Sequence, residues 1–189
     1  MKKAFLILFL FGMTAATAYS QLSTGSIGIG ASFATEDTKA NIHYCMSNNL
    51  ELLIGLGYQS ASISSDQAGY KAPDAQSIFS ILGGVRFFLN KGKDVSPYVA
   101  GTLSYSSGPT TKDASYDLSK SDFQLAAVFG AQYNLAKNFG IYAHLGIMYD
   151  VASSTYKAPT GQSWPDYTAK VSTMVLGTSA IGAVFYFDL

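Results

Sequence analysis

Apolar residues alternate with small or polar residues along most of the chain. In the last segment, residues 181–189, Ile181 and Phe185 fall on one face, whereas Gly182 and Tyr186 fall on the other. Alternation with a period of two predicts β-strands that have one apolar face. The pattern predicts eight such strands: Ser26–Phe33, Ala40–Met46, Leu50–Ser60, Ser77–Leu89, Pro97–Ser106, Ser121–Leu135, Phe139–Val151 and Thr168–Leu189.

The connections between these strands alternate between short and long. Turns are predicted at 47–49, 90–94 and 136–138, and long polar stretches at 61–76, 107–120 and 153–167, while the first connection, 34–39, is short. Short turns on one side of a sheet and longer loops on the other are typical of transmembrane barrels. We therefore predict an all-β fold, an eight-stranded antiparallel transmembrane β-barrel with short periplasmic turns and longer extracellular loops.

The charged residues within the predicted strands lie on the face opposite the apolar one. They are Glu51, Arg86, Asp122, Asp150, Lys170 and Asp188. A Lys or Arg that faces lipid near the midplane costs about 2–4 kcal/mol, so we expect the apolar faces to contact lipid and the polar faces to line the interior. Because Glu51 and Arg86 lie near the same turn-side end of neighbouring strands, we predict an interior ion pair between them. Two solvated charges at the rim are the alternative.

The polar faces carry bulky residues interleaved with glycines. The larger residues expected to point inward are Gln59, Tyr98, Gln124, Gln132, Tyr142, His144, Met148 and Tyr186. A barrel of eight strands is just wide enough for its own side chains to fill. We therefore expect a plugged, hydrogen-bonded interior without open diffusion.

The beginning of the chain has the pattern of a secretory signal peptide. Lys2 and Lys3 precede an apolar run over residues 4–13, and small residues follow at Ala16–Ala18. About ten apolar residues are too few for a transmembrane helix, which needs roughly 20. We expect residues 1–20 to be removed on export and residues 21–189 to form one barrel domain.

Charge and cysteine content exclude some classes of function. Without residues 1–20 the chain has ten basic and 12 acidic residues, a formal charge of −2, which argues against nucleic acid as a partner. Cys45 is the only cysteine, so no internal disulfide can form. Charged residues make up 13% of the chain, against about 25% in an average soluble protein, as expected if much of the surface faces lipid.

The residues that could carry chemistry form no convincing catalytic or metal site. His144 could act with Asp150, but no Ser lies two residues away on the same strand, so a hydrogen-bonded interior histidine is the better interpretation. His43 and Cys45 share a face, yet two ligands alone are weak evidence for a metal. Residues 154–157 match S-x-x-K, but they lie in a predicted loop without the companion motifs. We predict no catalytic residue, cofactor or metal.

Aromatic residues fall into two groups. The first lies near predicted strand ends, where interfacial girdles are expected: Tyr44, Tyr58, Phe88, Tyr105, Tyr133, Phe139 and Tyr149. The second lies in predicted exposed loops: Tyr70, Tyr116, Tyr156, Trp164 and Tyr167. Exposed aromatics among small polar residues are typical of recognition surfaces. We predict a recognition surface there, with packing of the loops on each other as the alternative.

Two segments carry a resemblance to a known family. The strand–turn–strand segment 130–142, GAQYNLAKNFGIY, and the terminal strand ending in Phe185 and Phe187 resemble the small outer-membrane β-barrel proteins typified by OmpX and the transmembrane domain of OmpA. The resemblance implies a monomer in a Gram-negative outer membrane, in contact with lipid and lipopolysaccharide. It also implies recognition of the terminal strand by the barrel-assembly machinery. Family members usually end in an aromatic residue, whereas this chain ends in Leu189.

Taken together, these patterns predict a non-enzymatic outer-membrane scaffold whose surface loops present a face for binding or adhesion to an extracellular ligand. Three alternatives stay open. The first is a lipid-modifying barrel enzyme that uses His144, and the second is a narrow, porin-like channel. The third is a soluble exported barrel of the lipocalin type, whose apolar faces would point inward.

Overall fold

The computed structural model describes residues 24–34, 38–61, 76–90, 94–108, 111–112, 117–158 and 165–188. Within these ranges the chain forms eight long strands: β1 Ile27–Ala34, β2 Thr38–Cys45, β3 Leu50–Ala61, β4 Gln76–Phe88, β5 Val95–Ser107, β6 Asp117–Ala136, β7 Phe139–Lys157 and β8 Tyr167–Phe187. A two-residue strand, Thr111–Lys112, pairs with the beginning of β6. The predicted signal peptide lies outside the described residues.

Helices make no contribution to membrane crossing in the described ranges. None of the residues there belongs to a helix long and apolar enough to span a bilayer.

The eight long strands close into a barrel. Each pairs antiparallel with the next in the chain, and β1 also pairs antiparallel with β8, from Ile27 opposite Phe187 to Ala34 opposite Ala180. Closing the sheet gives its strands partners on both sides, which is the condition for placing strands in lipid. The predicted fold class is therefore confirmed.

The apolar faces of the strands point away from the barrel interior. Leu145 and Phe129 are 64% and 55% exposed, although both are large and apolar. Residues of the opposite face, such as Tyr142 and Val128, are buried together with Arg86 inside the barrel. An apolar belt around a closed sheet matches the hydrocarbon of a bilayer. This orientation excludes the lipocalin-type alternative.

Exposed tyrosines mark both ends of the apolar belt, as interfacial girdles do. They lie on the outer face at Tyr58, Tyr105 and Tyr149 towards the loop end and at Tyr44 and Tyr133 towards the turn end. The prediction that Phe88 belongs to a girdle is wrong, because Phe88 is fully buried and its ring centre lies 5.6 Å from that of Tyr98. Phe88 follows Arg86 by two residues, so the two side chains share the inward face.

Strands β6 and β7 are longer than the sequence pattern predicts, at 20 and 19 residues, and β8 begins one residue earlier than predicted, at Tyr167. Two predicted loop residues, Tyr156 and Tyr167, therefore lie in paired strands opposite each other. Cross-strand pairs account for the extension: the rings of Tyr156 and Tyr167 stack at 4.6 Å, and the hydroxyls of Thr155 and Thr168 lie 3.0 Å apart. The other predicted recognition residues, Tyr70, Tyr116 and Trp164, lie outside the described residues.

A bulge at Gly177 changes the face that the first half of β8 presents. Gly146 pairs with Thr178 but Ile147 pairs with Leu176, so Gly177 is an extra residue in β8, and it has a φ of 97°. The alternation is therefore reversed before the bulge. Lys170 pairs with Ser153 and lies on the outer face, so the prediction that it points inward is wrong.

Candidate functional site

The turn-side half of the barrel interior contains the predicted pair of Glu51 and Arg86. The register of β3 and β4 places the two residues directly opposite each other. Arg86 Nη1 lies 3.1 Å from Glu51 Oε1, and both side chains are buried. The alternative of two solvated charges at the barrel rim is therefore excluded for Glu51 and Arg86. Because desolvation offsets much of the attraction in a buried pair, further polar partners are needed to hold it.

Glu51 has two such partners from other strands. Tyr186 of β8 donates its hydroxyl to Glu51 Oε2 at 2.6 Å. His43 of β2 places Nδ1 2.8 Å from Glu51 Oε1. Hydrogen bonds to an ionised carboxylate are about twice as strong as those between neutral groups. Glu51 thus ties together β2, β3, β4 and β8.

Arg86 is held between two aromatic rings. Its guanidinium carbon lies 4.4 Å from the ring centres of both Tyr98 and Tyr142. Its Nη1 also donates to Gln132 Oε1 at 3.3 Å. Cation–π contacts of this kind gain strength when they are desolvated. The side chain therefore links β4 to β5, β6 and β7.

Small residues on neighbouring strands make room for these rings. A Cβ at Gly182 would overlap the ring of Tyr142, and one at Gly130 would come within 2.6 Å of Tyr98. Any larger residue would have to displace a ring. The interleaving of glycines with bulky inward residues is thus a requirement of the packing.

We call this group the floor cluster: His43, Glu51, Arg86, Tyr98, Gln132, Tyr142 and Tyr186. Its members come from seven of the eight long strands, and each is nearly or fully inaccessible to solvent. Glu51 is the second residue of β3 and Arg86 lies two residues before the end of β4. The cluster therefore closes the barrel near its turn end.

Above the floor cluster the interior contains a cavity of about 470 Å³. This volume falls in the range of small-molecule sites, about 300–1,000 Å³. Its lining is mixed. The larger apolar residues are Leu53, Ile78, Leu82, Val128, Met148 and Val175, and the charged or amide-bearing ones are Lys39, Asn41, Gln59, Arg86, Asp122 and Gln124.

One wall of the cavity is rich in hydrogen-bond acceptors. Ser104 donates to Gln124 Oε1 at 3.1 Å, and Gln124 Nε2 donates to Asp122 Oδ2 at 3.3 Å. Asp150 of β7 lies directly opposite Gln124. Its Oδ1 is buried without a hydrogen-bond partner among the described residues.

The two histidines have structural partners. Tyr98 OH and His144 Nδ1 are 3.0 Å apart, and the His144 ring stacks on Tyr142 with centres 6.3 Å apart. His43 is bonded to Glu51, as described above. No group of three or more His, Cys, Asp or Glu residues in the described ranges could hold a metal ion. Residues 154–157, which match S-x-x-K, lie in β7.

Comparison with solved structures places the chain among outer-membrane barrels. It is similar to the outer membrane protein OprG from Pseudomonas aeruginosa, with a TM-score of 0.55 and 11% identity over 92% of this chain and 100% of that one. It is also similar to the N-terminal β-barrel domain of Pseudomonas aeruginosa OprF, with a TM-score of 0.46, 14% identity and coverage of 87% and 98%. A major outer membrane protein from Thermus thermophilus gives a TM-score of 0.46, 16% identity and coverage of 86% and 98%.

The similarity to the OprG structure establishes the fold, whereas comparison at the level of sequence identifies no family. No protein-family model matches the chain, and neither does any curated protein. The chain is a small eight-stranded barrel of the outer-membrane type. Its apolar belt and aromatic girdles place it in an outer membrane.

Proposed function

We propose that the protein is a non-enzymatic scaffold of a Gram-negative outer membrane that holds a binding or adhesion surface outside the cell. The observation that carries the proposal is the floor cluster. The side chains of the floor cluster, Arg86 and Glu51 with the rings around them, fill the turn-side half of the barrel. They have almost no exposed surface. A barrel closed in this way is suited to supporting loops and poorly suited to passing solutes.

The surface in question is the part of the sheet that continues beyond the girdle. We call it the outer ribbon and define it as residues 117–122, 151–157 and 167–173 of β6, β7 and β8. Tyr156 and Tyr167 stack within it, and Tyr167 is exposed. Rigid aromatic side chains on a paired sheet offer contact area at little cost in conformational entropy. This supports a role in recognition.

We also propose three kinds of partner. Lipid and lipopolysaccharide would contact the belt, an extracellular ligand would bind the outer ribbon, and the barrel-assembly machinery would recognise the C-terminal strand. We propose a monomer, since the pairing of β1 with β8 closes the barrel within one chain.

The adhesion half of the proposal can be tested on cells. Gram-negative host cells that express the protein should bind to layers of cultured epithelial cells more than cells with an empty vector do. The double variant Tyr156→Ser/Tyr167→Ser should lose most of this gain, because it removes the stacked pair. Tyr44→Ser, the same change at the opposite end of the barrel, should keep it. Equal adhesion with and without the wild-type protein would refute this half.

The non-enzymatic half is tested with purified protein in detergent. Incubation with radiolabelled lipopolysaccharide or phospholipid should release no acyl chain, because His144 is bonded to Tyr98 and stacked on Tyr142. Acyl release that disappears in His144→Asn would instead favour the lipid-modifying alternative.

A further inference from the structure

The guanidinium of Arg86 is only partly satisfied by the floor cluster. Its polar contacts within the described residues all involve Nη1, which lies 3.1 Å from Glu51 Oε1 and donates to Gln132 Oε1 at 3.3 Å. Nε is buried without an acceptor among the described residues. Such a state is uncommon, because most buried donors have a hydrogen-bond partner.

The packing around Arg86 limits where a further acceptor could bind. The group is held between Tyr98 and Tyr142, whose ring centres each lie 4.4 Å from the guanidinium carbon, so acceptors can reach it only at its edges. A guanidinium has five N–H donors in a planar fork. Those not carried by Nη1 lie on Nε and Nη2, which share one edge. Two parallel hydrogen bonds from such an edge match the two oxygens of a carboxylate.

Arg86 also lines the base of the cavity of about 470 Å³. Its cross-strand partner in β5, Ala100, pairs in turn with Val128, and Thr102 lies two residues further towards the loop end. Val128 and Thr102 line the cavity, as does Leu53 of β3. The space next to Arg86 is therefore bounded by two apolar side chains and one hydroxyl.

The charges of the cavity lining favour an anion. Lys39 and Arg86 line the cavity, whereas Glu51, which balances Arg86, is not among the lining residues. The carboxylate that does line it, Asp122, accepts a hydrogen bond from Gln124. Lys39 belongs to β2 and Asp122 to β6, four strands away around the barrel, so the negative charge lies on the wall opposite the lysine.

We propose that the base of the cavity binds a monocarboxylate with a short apolar chain. The carboxylate accepts two hydrogen bonds from the free edge of Arg86 and one from the hydroxyl of Thr102. The chain lies along Leu53 and Val128 towards Met148, and the ligand arrives from the loop side because the floor cluster fills the turn side. None of these five residues belongs to the outer ribbon, so the site adds a binding activity that is independent of the adhesion surface.

The test uses sodium hexanoate at neutral pH, with hexanol as the probe of similar chain that lacks the charge. The protein is labelled with ¹³C at its methionine methyl groups and studied by NMR in detergent micelles. Met148 lines the cavity, whereas Met174 is 74% exposed on the outer face and reports partition into the detergent. Hexanoate should shift the Met148 signal saturably, with an affinity at least about tenfold above that of hexanol, and should leave Met174 nearly unchanged.

A matched pair of variants tests the location without altering the floor cluster. Ala126 lines the cavity between its cross-strand partners Thr102 and Met148. Ala126→Phe should fill this space and abolish the saturable shift. Ala127→Phe makes the same change at the next residue, on the outer face, and should leave hexanoate binding intact.

Two further variants test the chemistry of recognition. Arg86→Lys keeps the charge but loses the fork, so it should weaken hexanoate binding about tenfold and leave hexanol binding unchanged. Thr102→Val removes one hydroxyl and should weaken hexanoate binding about threefold. A gel-mobility shift on heating establishes that each variant is folded, and Thr102→Val tests recognition even where Arg86→Lys does not fold.

Three results would overturn the proposal. Equal affinities for hexanoate and hexanol would mean that water, and no carboxylate, satisfies the free edge of Arg86. Parallel shifts of Met148 and Met174 that do not saturate would mean partition into detergent only. Unchanged hexanoate binding in folded Ala126→Phe would exclude the cavity as the site.

Discussion

At the scale of single residues, the interior depends on one carboxylate. Glu51 balances the charge of Arg86 and accepts a hydrogen bond from Tyr186. Removing one partner of a buried ion pair costs about 3–5 kcal/mol, because the other charge stays buried and uncompensated. Glu51→Gln, which keeps the shape but not the charge, should lower the free energy of unfolding by about that amount. Urea titration of the barrel refolded in vesicles measures it.

Two controls test whether the uncompensated charge of Arg86 causes the loss of stability in Glu51→Gln. Asp94→Asn changes a charge in an exposed turn and should alter stability by no more than about 0.5 kcal/mol. The double variant Glu51→Leu/Arg86→Met replaces both charges with apolar groups and should be more stable than Glu51→Gln. If the double variant is the less stable of the two, an uncompensated Arg86 is not the cause.

The sequence predicts the pair of Glu51 and Arg86 because two local facts suffice: both fall on the polar face, and both lie near the same turn. The same parity places Phe88 inside, and assigning it to a girdle ignored that constraint. The convergence of Gln132 and Tyr142 on Arg86 is different. It depends on how strands distant in the chain align around the closed barrel, which alternation along one strand does not encode.

At the scale of elements, the bulge in β8 decides which face each residue presents. Gly177 has a left-handed φ of 97°, and a Cβ there would meet nothing within 4 Å. Gly177→Ala should therefore destabilise the barrel through backbone strain alone, by about 1–2 kcal/mol. Gly101 is the matched control, since its Cβ would also lie in open space but its φ is not positive.

The two alanine substitutions should change the stability of the barrel in opposite directions. Gly101→Ala should be neutral or slightly stabilising, because alanine restricts the unfolded chain. Both variants are compared by urea titration under the same conditions. Equal effects at the two positions would mean that the bulge does not impose a left-handed backbone at Gly177.

The same bulge explains the error about Lys170. A single parity was applied to all of strand eight, and the apolar residues 181–187 set it correctly for their own half. One extra residue then reverses every assignment before it. The sequence does not predict the extension of β6 and β7 past the belt, for a related reason. The extended segments carry Ser, Thr and Lys on both faces, so their sequence pattern predicts loops. The cross-strand pairs Thr155 with Thr168 and Tyr156 with Tyr167 nevertheless hold them in a sheet.

At the scale of the whole molecule, the barrel interior has a filled half and a half that contains a cavity. The floor cluster fills the turn end, and the cavity of about 470 Å³ lies between it and the loop end. This division is consistent with a scaffold, and conduction of ions is the property that separates a scaffold from the channel alternative.

The wild-type barrel should accordingly show no single-channel steps in planar bilayers. Removing three interior rings at once, in Tyr98→Ala/Tyr142→Ala/Tyr186→Ala, should produce them, because the rings surround Arg86 and fill the cross-section at the floor. Tyr44→Ala/Tyr133→Ala/Tyr149→Ala removes the same number of rings from the outer face and should remain insulating. Each protein must first show a heat-dependent gel shift, which establishes that it is folded. Reproducible single-channel steps from the folded wild-type protein would mean that the floor cluster does not seal the barrel.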